Sequence, residues 1–213
     1  MLNIKKFECN AVCENCYIVS DETKECMIVD CGAHGPFEQK AISQYIEAEG
    51  LNPTIHVLTH GHFDHVMGCG FVYDAYGLQP ILHERDAETY KNAGKLAMEF
   101  GMTIEGNMPA IGRLVNDDEE VTFGNHTFKV IHTPGHSKGS VVYYSAEEAL
   151  TFTGDTLFLG SIGRTDLPGG SMFQIIQSLR MFTQLPDNTR VLPGHGPETQ
   201  VGYELAHNPY LDR

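Results

Sequence analysis

His60-Gly61-His62-Phe63-Asp64-His65 places four side chains able to bind a metal within six residues. Neither packing nor solubility asks for that density: histidine is intermediate in burial, and aspartate is rarely buried unpaired. Two imidazoles at i and i+2 fall on one side of an extended loop, and Asp64 and His65 reach a point further along. That arrangement suits two neighbouring cations better than one. The helical zinc-protease pattern, two histidines at i and i+4 around a glutamate, is not what stands here. A histidine-rich surface loop is the competing reading, and residues elsewhere in the chain weigh against it.

Three stretches read as strands that end in a Gly-His step: Leu58-Thr59-His60-Gly61-His62, Ile131-His132-Thr133-Pro134-Gly135-His136 and Val191-Leu192-Pro193-Gly194-His195. A fourth, Thr153-Gly154-Asp155-Thr156, presents a carboxylate in the same way. Ligands of layered α/β folds gather on loops at strand ends, where a rigid sheet holds them. The candidate donors are therefore His60, His62, Asp64, His65, His136, Asp155 and His195. A catalytic zinc takes about three protein ligands plus water. Seven donors divide into two sets of three with one carboxylate shared, and Asp155 is the bridge expected, because a carboxylate has two oxygens to offer. His34, His56, His83, His126, His132 and His207 match no such position and are expected to be structural or exposed.

The chain of 213 residues is 41% hydrophobic and 20% charged, with a net charge of −14. That length predicts one large domain, built from two similar halves over roughly 1–110 and 111–213. The acidic balance, with no lysine or arginine stripe, argues against nucleic acid as a partner. No apolar run reaches membrane-spanning length, and no apolar segment follows Lys5 and Lys6. We therefore expect no membrane association and a cytoplasmic location. Five of the six cysteines, Cys9, Cys13, Cys16, Cys26 and Cys31, fall in the first 31 residues. Cys9-x3-Cys13-x2-Cys16 has an iron–sulfur spacing, but 16–20 reads as a strand, so reduced thiols in paired strands are expected.

Strands are predicted over 7–10, 15–20, 25–30, 54–59, 80–83, 120–123, 127–131, 141–145, 150–153 and 190–192, and helices over 36–49, 66–76, 85–100 and 171–183. The strands come in adjacent pairs, which argues against a purely parallel sheet. Two mixed sheets face to face with helices outside is the natural packing.

These motifs, in this order, resemble the metallo-β-lactamase fold superfamily, and within it the short, single-domain form of glyoxalase II (hydroxyacylglutathione hydrolase). The resemblance runs through Glu14-Asn15-Cys16-Tyr17, Ile28-Val29-Asp30-Cys31-Gly32-Ala33, the His60–His65 stretch, Thr133-Pro134-Gly135-His136, Thr153-Gly154-Asp155-Thr156-Leu157-Phe158 and Pro193-Gly194-His195-Gly196. It implies a four-layer αβ/βα sandwich. It also implies two divalent ions, with His60, His62 and His136 on one, Asp64, His65 and His195 on the other, and Asp155 between. The donor set suits zinc first, and iron or manganese as well. Asp30 takes the early-aspartate position that orients the histidine loop from behind; a turn-forming Asp before Gly32 is the plainer alternative.

No serine or cysteine stands in a triad setting, so water activated by the metals is the expected nucleophile. Asp64 is expected to steer its proton. A small-molecule thioester is the substrate this implies, since a thiolate leaves with little acid assistance. Long-form glyoxalase II holds its thiol carrier with a basic C-terminal extension, whereas here only Gly196–Arg213 follows His195. Arg164, Lys138 and Tyr210 are the remaining candidates for contact with substrate, although Asp166 offers Arg164 a local partner. Gly163-Arg164-Thr165-Asp166 also resembles persulfide dioxygenases of the same fold, which use one iron. A lactonase is a further alternative.

Overall fold

The structure, a computed structural model, describes residues 2–211. Its first sheet carries β1 (Asn3–Cys9), β2 (Glu14–Ser20), β3 (Glu25–Val29), β4 (Asn52–Val57), β5 (Ile81–His83) and β6 (Arg113–Val115), in that order. The first three pair antiparallel and the last four parallel. The second sheet carries β7 (Glu120–Phe123), β8 (His126–His132), β9 (Val141–Ser145), β10 (Leu150–Gly154), β11 (Arg190–Pro193) and β12 (Thr199–Gln200). It is antiparallel except between β10 and β11. Both sheets are mixed, and helices cover their outer faces. The four-layer sandwich is the fold the sequence predicted. The chain passes from one sheet to the other between Val115 and Glu120.

The two-residue period of a strand explains the layers. Along β2 every residue is buried. Tyr17 and Val19 point between the sheets, where Met27 and Val29 of β3 meet Phe128, Tyr143 and Phe152 of the second sheet. Cys16 and Ile18 point outward with Cys26 and Ile28, under Ile42 and Ile46 of α1 (Gly35–Ala48) and Val72 of α3 (Cys69–Tyr76). The outer layer of the second sheet packs on Ile175 and Leu179 of α6 (Met172–Leu179) and on Val201 and Leu205 of α7 (Val201–His207). Five of the six cysteines are thus buried, Cys13 is exposed, and all six thiols are free.

Two predicted helices are broken. The 66–76 segment starts earlier, as α2 (Phe63–Val66), and is interrupted at Gly68, whose backbone sits against Cys31 with its N–H donated to the Cys31 carbonyl at 2.7 Å. The 85–100 segment is a 3₁₀ turn (Glu84–Asp86) followed by α4 (Ala87–Lys91) and α5 (Ala93–Glu99), parted at Asn92. The short β6, β12 and α7 lacked a sequence signal of sufficient length. No described helix is long and apolar enough to cross a membrane.

His56 of β4 is buried on the outer side of the first sheet, opposite Ile28 in register, and neither ring nitrogen has a partner. Burial pushes its pKa down to about 3, against about 6.5 in an unfolded chain. The unfolded chain therefore binds the extra proton first, and the stability tied to His56 is full above about pH 6.5 and lost as pH falls below it. In urea titrations, His56→Leu should shed less stability than the parent between pH 7 and pH 5, by about 2 kcal/mol. Parallel losses in the two proteins would contradict this.

Candidate metal centre

Each candidate donor loop leaves the C-terminal end of a strand. His60 and His62 follow β4, His136 follows β8, Asp155 follows β10 and His195 follows β11, so the two sheets deliver their loops to one point. The structure brings all seven residues together. His136 Nε2 lies 2.8 Å from His62 Nδ1 and 3.1 Å from His60 Nε2. Beside this trio, Asp64 Oδ2 stands 3.2 Å from His195 Nε2 and 3.6 Å from His65 Nε2. Asp155 lies between the groups, with Oδ1 3.3 Å from His65 Nε2 and Oδ2 3.4 Å from His136 Nε2 and 3.7 Å from His195 Nε2.

The histidines are aimed from behind. His65 Nδ1 meets Asp30 Oδ2 at 3.0 Å, His136 Nδ1 meets the Arg164 carbonyl at 2.8 Å, and His195 Nδ1 meets the carbonyls of Val12 and Cys13 at 3.0 and 3.1 Å. His60 Nδ1 faces Thr59 Oγ1 at 3.1 Å. These acceptors take the Nδ1 proton, so that in the neutral ring Nε2 presents its lone pair to the centre, as metal-ligating histidines require. Asp30 also accepts from the Thr59 N–H at 2.7 Å and the Thr59 hydroxyl at 2.8 Å. Its own backbone is left-handed (φ 50°), a conformation that aspartate tolerates better than most residues.

Three supports carried no assigned role in the sequence reading. Asp86, fully buried, accepts from the Gly61 and Gly139 N–H groups and the Ser137 hydroxyl, each at 2.8 Å. It thereby ties the His60–His62 loop to the His136 loop. Asn15 and Tyr17 of β2 grip the His195 loop through the carbonyl of Pro193, at 2.9 and 2.7 Å. Asn10 Nδ2 holds the carbonyls of Gly32 and Asp64, at 3.1 and 2.8 Å. The polar Glu14-Asn15 pair opening a strand was the only hint the sequence offered. At Gly194 a Cβ would run into Asp155 Oδ1 and the His65 ring, so the close approach of these loops requires glycine there.

The electrostatics divide the centre in two. Burial, then neighbouring imidazoles, pushes His60 well below its ordinary pKa, and burial does the same to His62. Both are neutral at pH 7, the form that ligates. Burial also opposes charge on His65, His195, Asp64 and Asp155, but the opposite charges around each outweigh it. His65 and His195 are raised, and Asp64 and Asp155 are held down. Three imidazole nitrogens turned on one another have at most one proton to share per contact, and buried His65 Nε2 and Asp155 Oδ1 have no hydrogen-bond partner. The residues fit divalent cations: His60, His62 and His136 form one group able to hold an ion, and Asp64, His65 and His195 another.

The sequence profile of the metallo-beta-lactamase superfamily matches residues 13–195. This chain belongs to that superfamily. Among curated proteins it is 36% identical over 197 residues to the probable metallo-hydrolase YqgX of Bacillus subtilis, covering 92% of this chain and 90% of the relative. It is 33% identical over 215 residues to the hydroxyacylglutathione hydrolase GloC of Haemophilus influenzae, covering 99% of each. Among solved structures, the BLEG-1 B3 metallo-beta-lactamase superposes with a TM-score of 0.88 at 35% identity over 99% of this chain and 100% of the other. TTHA1623 in a di-iron-bound form gives 0.87 at 36%, over 97% and 100%. ETHE1 from Myxococcus xanthus gives 0.77 at 26%, over 97% and 83%.

The mouth over the superfamily centre is a cavity of about 290 Å³ with Phe63, Phe100, Phe158 and Leu167 in its wall. Of the three substrate-contact candidates, Arg164 reaches this mouth but is held by Asp166 in two contacts of 2.7 Å. Its structural contribution is the carbonyl that orients His136. Lys138 lines a neighbouring groove. Tyr210 is exposed, bonded through its N–H to Asn208, and lines neither cavity.

Asp30→Asn should weaken metal affinity about 10- to 100-fold in chelator competition, because it removes the charged acceptor behind His65. Unchanged affinity would show that Asp30 serves only the turn.

Proposed function

We propose that this protein is a dinuclear metallohydrolase that cleaves thioesters of the hydroxyacylglutathione class. One observation carries the reading: Asp155 stands between two trios of metal donors at the floor of a small, largely apolar cavity. In this reading His60, His62 and His136 would hold one ion and Asp64, His65 and His195 a second, with Asp155 shared between them. Divalent cations held there, zinc in the first instance, would supply acidified water and polarisation of the acyl carbonyl.

The chain's own groups do the rest. Neighbouring hydroxyl and thiol side chains are not available as nucleophiles. Ser137 is buried and committed to Asp86 and Ser140, and five of the six thiols lie in the apolar interior. Water is therefore the attacking group. Asp64 lines the mouth as a carboxylate held in its charged form and accepts the proton of that water. The phenylalanines and Leu167 exclude bulk solvent from the acyl group. Among the described residues of the mouth, Arg164 is held by Asp166 and the histidines face the centre, which favours a leaving group that departs unprotonated, such as a thiolate. The identity to a protein named hydroxyacylglutathione hydrolase, over 99% of both chains, supports the same substrate class.

A second reading rests on the likeness to ETHE1 together with Gly163-Arg164-Thr165-Asp166: a mononuclear-iron persulfide dioxygenase using His60, His136 and Asp155. Elemental analysis of protein purified without added metal, with thioester and oxygen-uptake assays in parallel, separates the two. We expect two ions per chain and thioester hydrolysis, with His60→Ala and Asp155→Ala losing ions and turnover together. One iron per chain with persulfide-dependent oxygen uptake would establish the dioxygenase instead. Thioester turnover surviving complete demetallation would overturn both.

A further inference from the structure

We propose that the groove beside His62 is the subsite for the thiol half of the substrate, and that it selects thiols bearing acidic groups remote from the sulfur. The proposal deepens the thioesterase reading and rests on it. The groove is a cavity of about 420 Å³ between α4–α5 and the loop at Pro168–Gly169, and His62 lines both it and the metal-site mouth. Ligand sites run from about 300 to 1,000 Å³, so this one has room for a carrier, while the smaller mouth suits an acyl group. A thioester with its carbonyl at the centre would cross from one cavity to the other past His62.

Charge says which half goes where. The chain carries 28 acidic and 14 basic residues, yet Arg85, Lys95 and Lys138 all line this one groove. Arg113, Arg164 and Arg190 each hold a carboxylate, at 2.7, 2.7 and 2.9 Å. Among the described residues no carboxylate pairs with any of the groove's three cations. Glu88 and Glu99 also line it, with Glu88 turned to the Asn92 amide at 2.7 Å, so three cations stand against two carboxylates and the groove keeps a net positive charge in an acidic protein. Arg85 and Lys138 converge again on a second opening lined by Gly169 and Gly170, and the Lys138 stem lies across Gly169, 3.3 Å from where a Cβ would stand. Guanidinium and ammonium groups left without acidic partners in an acidic protein are what a carboxylate or phosphate ligand requires. Arg85 sits next to Asp86, and Lys138 between the Asp86-bound Ser137 and Gly139, so the carboxylate that ties the histidine loops also fixes the backbone from which these two cations extend.

The test compares three thioesters of one acyl group: of N-acetylcysteamine, which is uncharged, of glutathione, with two carboxylates, and of coenzyme A, with phosphates. For the parent protein, kcat/KM should be higher for an anionic thioester than for the uncharged one, and the ratio should fall with added salt. Which anionic thioester leads identifies the carrier as peptide or nucleotide. In Arg85→Gln/Lys95→Gln/Lys138→Gln the anionic-to-neutral ratio should fall about tenfold, taking each exposed pair at its usual strength. Lys138 is two residues from His136, so Arg85→Gln/Lys95→Gln is measured separately and should lower the ratio about fivefold. Competitive inhibition by the free anionic thiol should weaken in step. A parent ratio of one or below, or ratios unchanged in both variants, would overturn the groove while leaving the thioesterase reading standing. No turnover of any of the three would overturn that reading and the groove with it.

Discussion

Two carboxylates and five imidazoles are packed into one interior here, and the structure depends on the charge that must compensate them. Burying an unpaired carboxylate is costly, and removing one partner from such a cluster is costlier than never having built it. Asp155 and Asp64 nonetheless stay charged at the floor of the cavity, while His60 and His62 are pushed to their neutral form. His65 and His195, raised by those carboxylates, supply the compensating charge from within the chain, and divalent cations would take over that role. Everything that surrounds the cluster acts to keep these donors facing one another.

That work falls to three groups from different layers. Asp30 at the end of β3 takes a left-handed backbone so that its carboxylate reaches both Thr59 and His65. Asp86, on the turn after β5, fastens the loops of His62 and His136. Asn15 and Tyr17 cross from the first sheet to the His195 loop of the second. The two sheets are thus joined at the centre by hydrogen bonds as well as by the apolar layer between them. All three groups reach backbone N–H or C=O groups of the donor loops, which fixes where an imidazole starts, while the acceptor behind its Nδ1 fixes where it points.

Much of this was legible in the sequence because the chemistry is local there. The six residues from His60 to His65 and the Gly-His endings of 131–136 and 191–195 each carry their own signal, and the adjacent pairs of short strands point to mixed sheets. The supports were not legible in the same way. Asp86 lies in Glu84-Arg85-Asp86, which in sequence reads as the start of an exposed amphipathic helix; its importance comes only from Gly61, Ser137 and Gly139 folding against it. Asn15 differs from any polar strand residue only through a contact 178 positions away. The break at Gly68 arises from the approach of Cys31. Long-range contacts decide all three, whereas Arg164, a natural anion anchor by residue type, is claimed by Asp166, the local partner already visible in the sequence.

Anomalous diffraction at the absorption edge of the metal found by elemental analysis, on crystals of protein purified without added metal, reads the centre most directly. Two peaks per chain, one among His60, His62 and His136 and one among Asp64, His65 and His195, with Asp155 between them, are the predicted result. A single peak, or none within reach of Asp155, would contradict the shared-carboxylate centre.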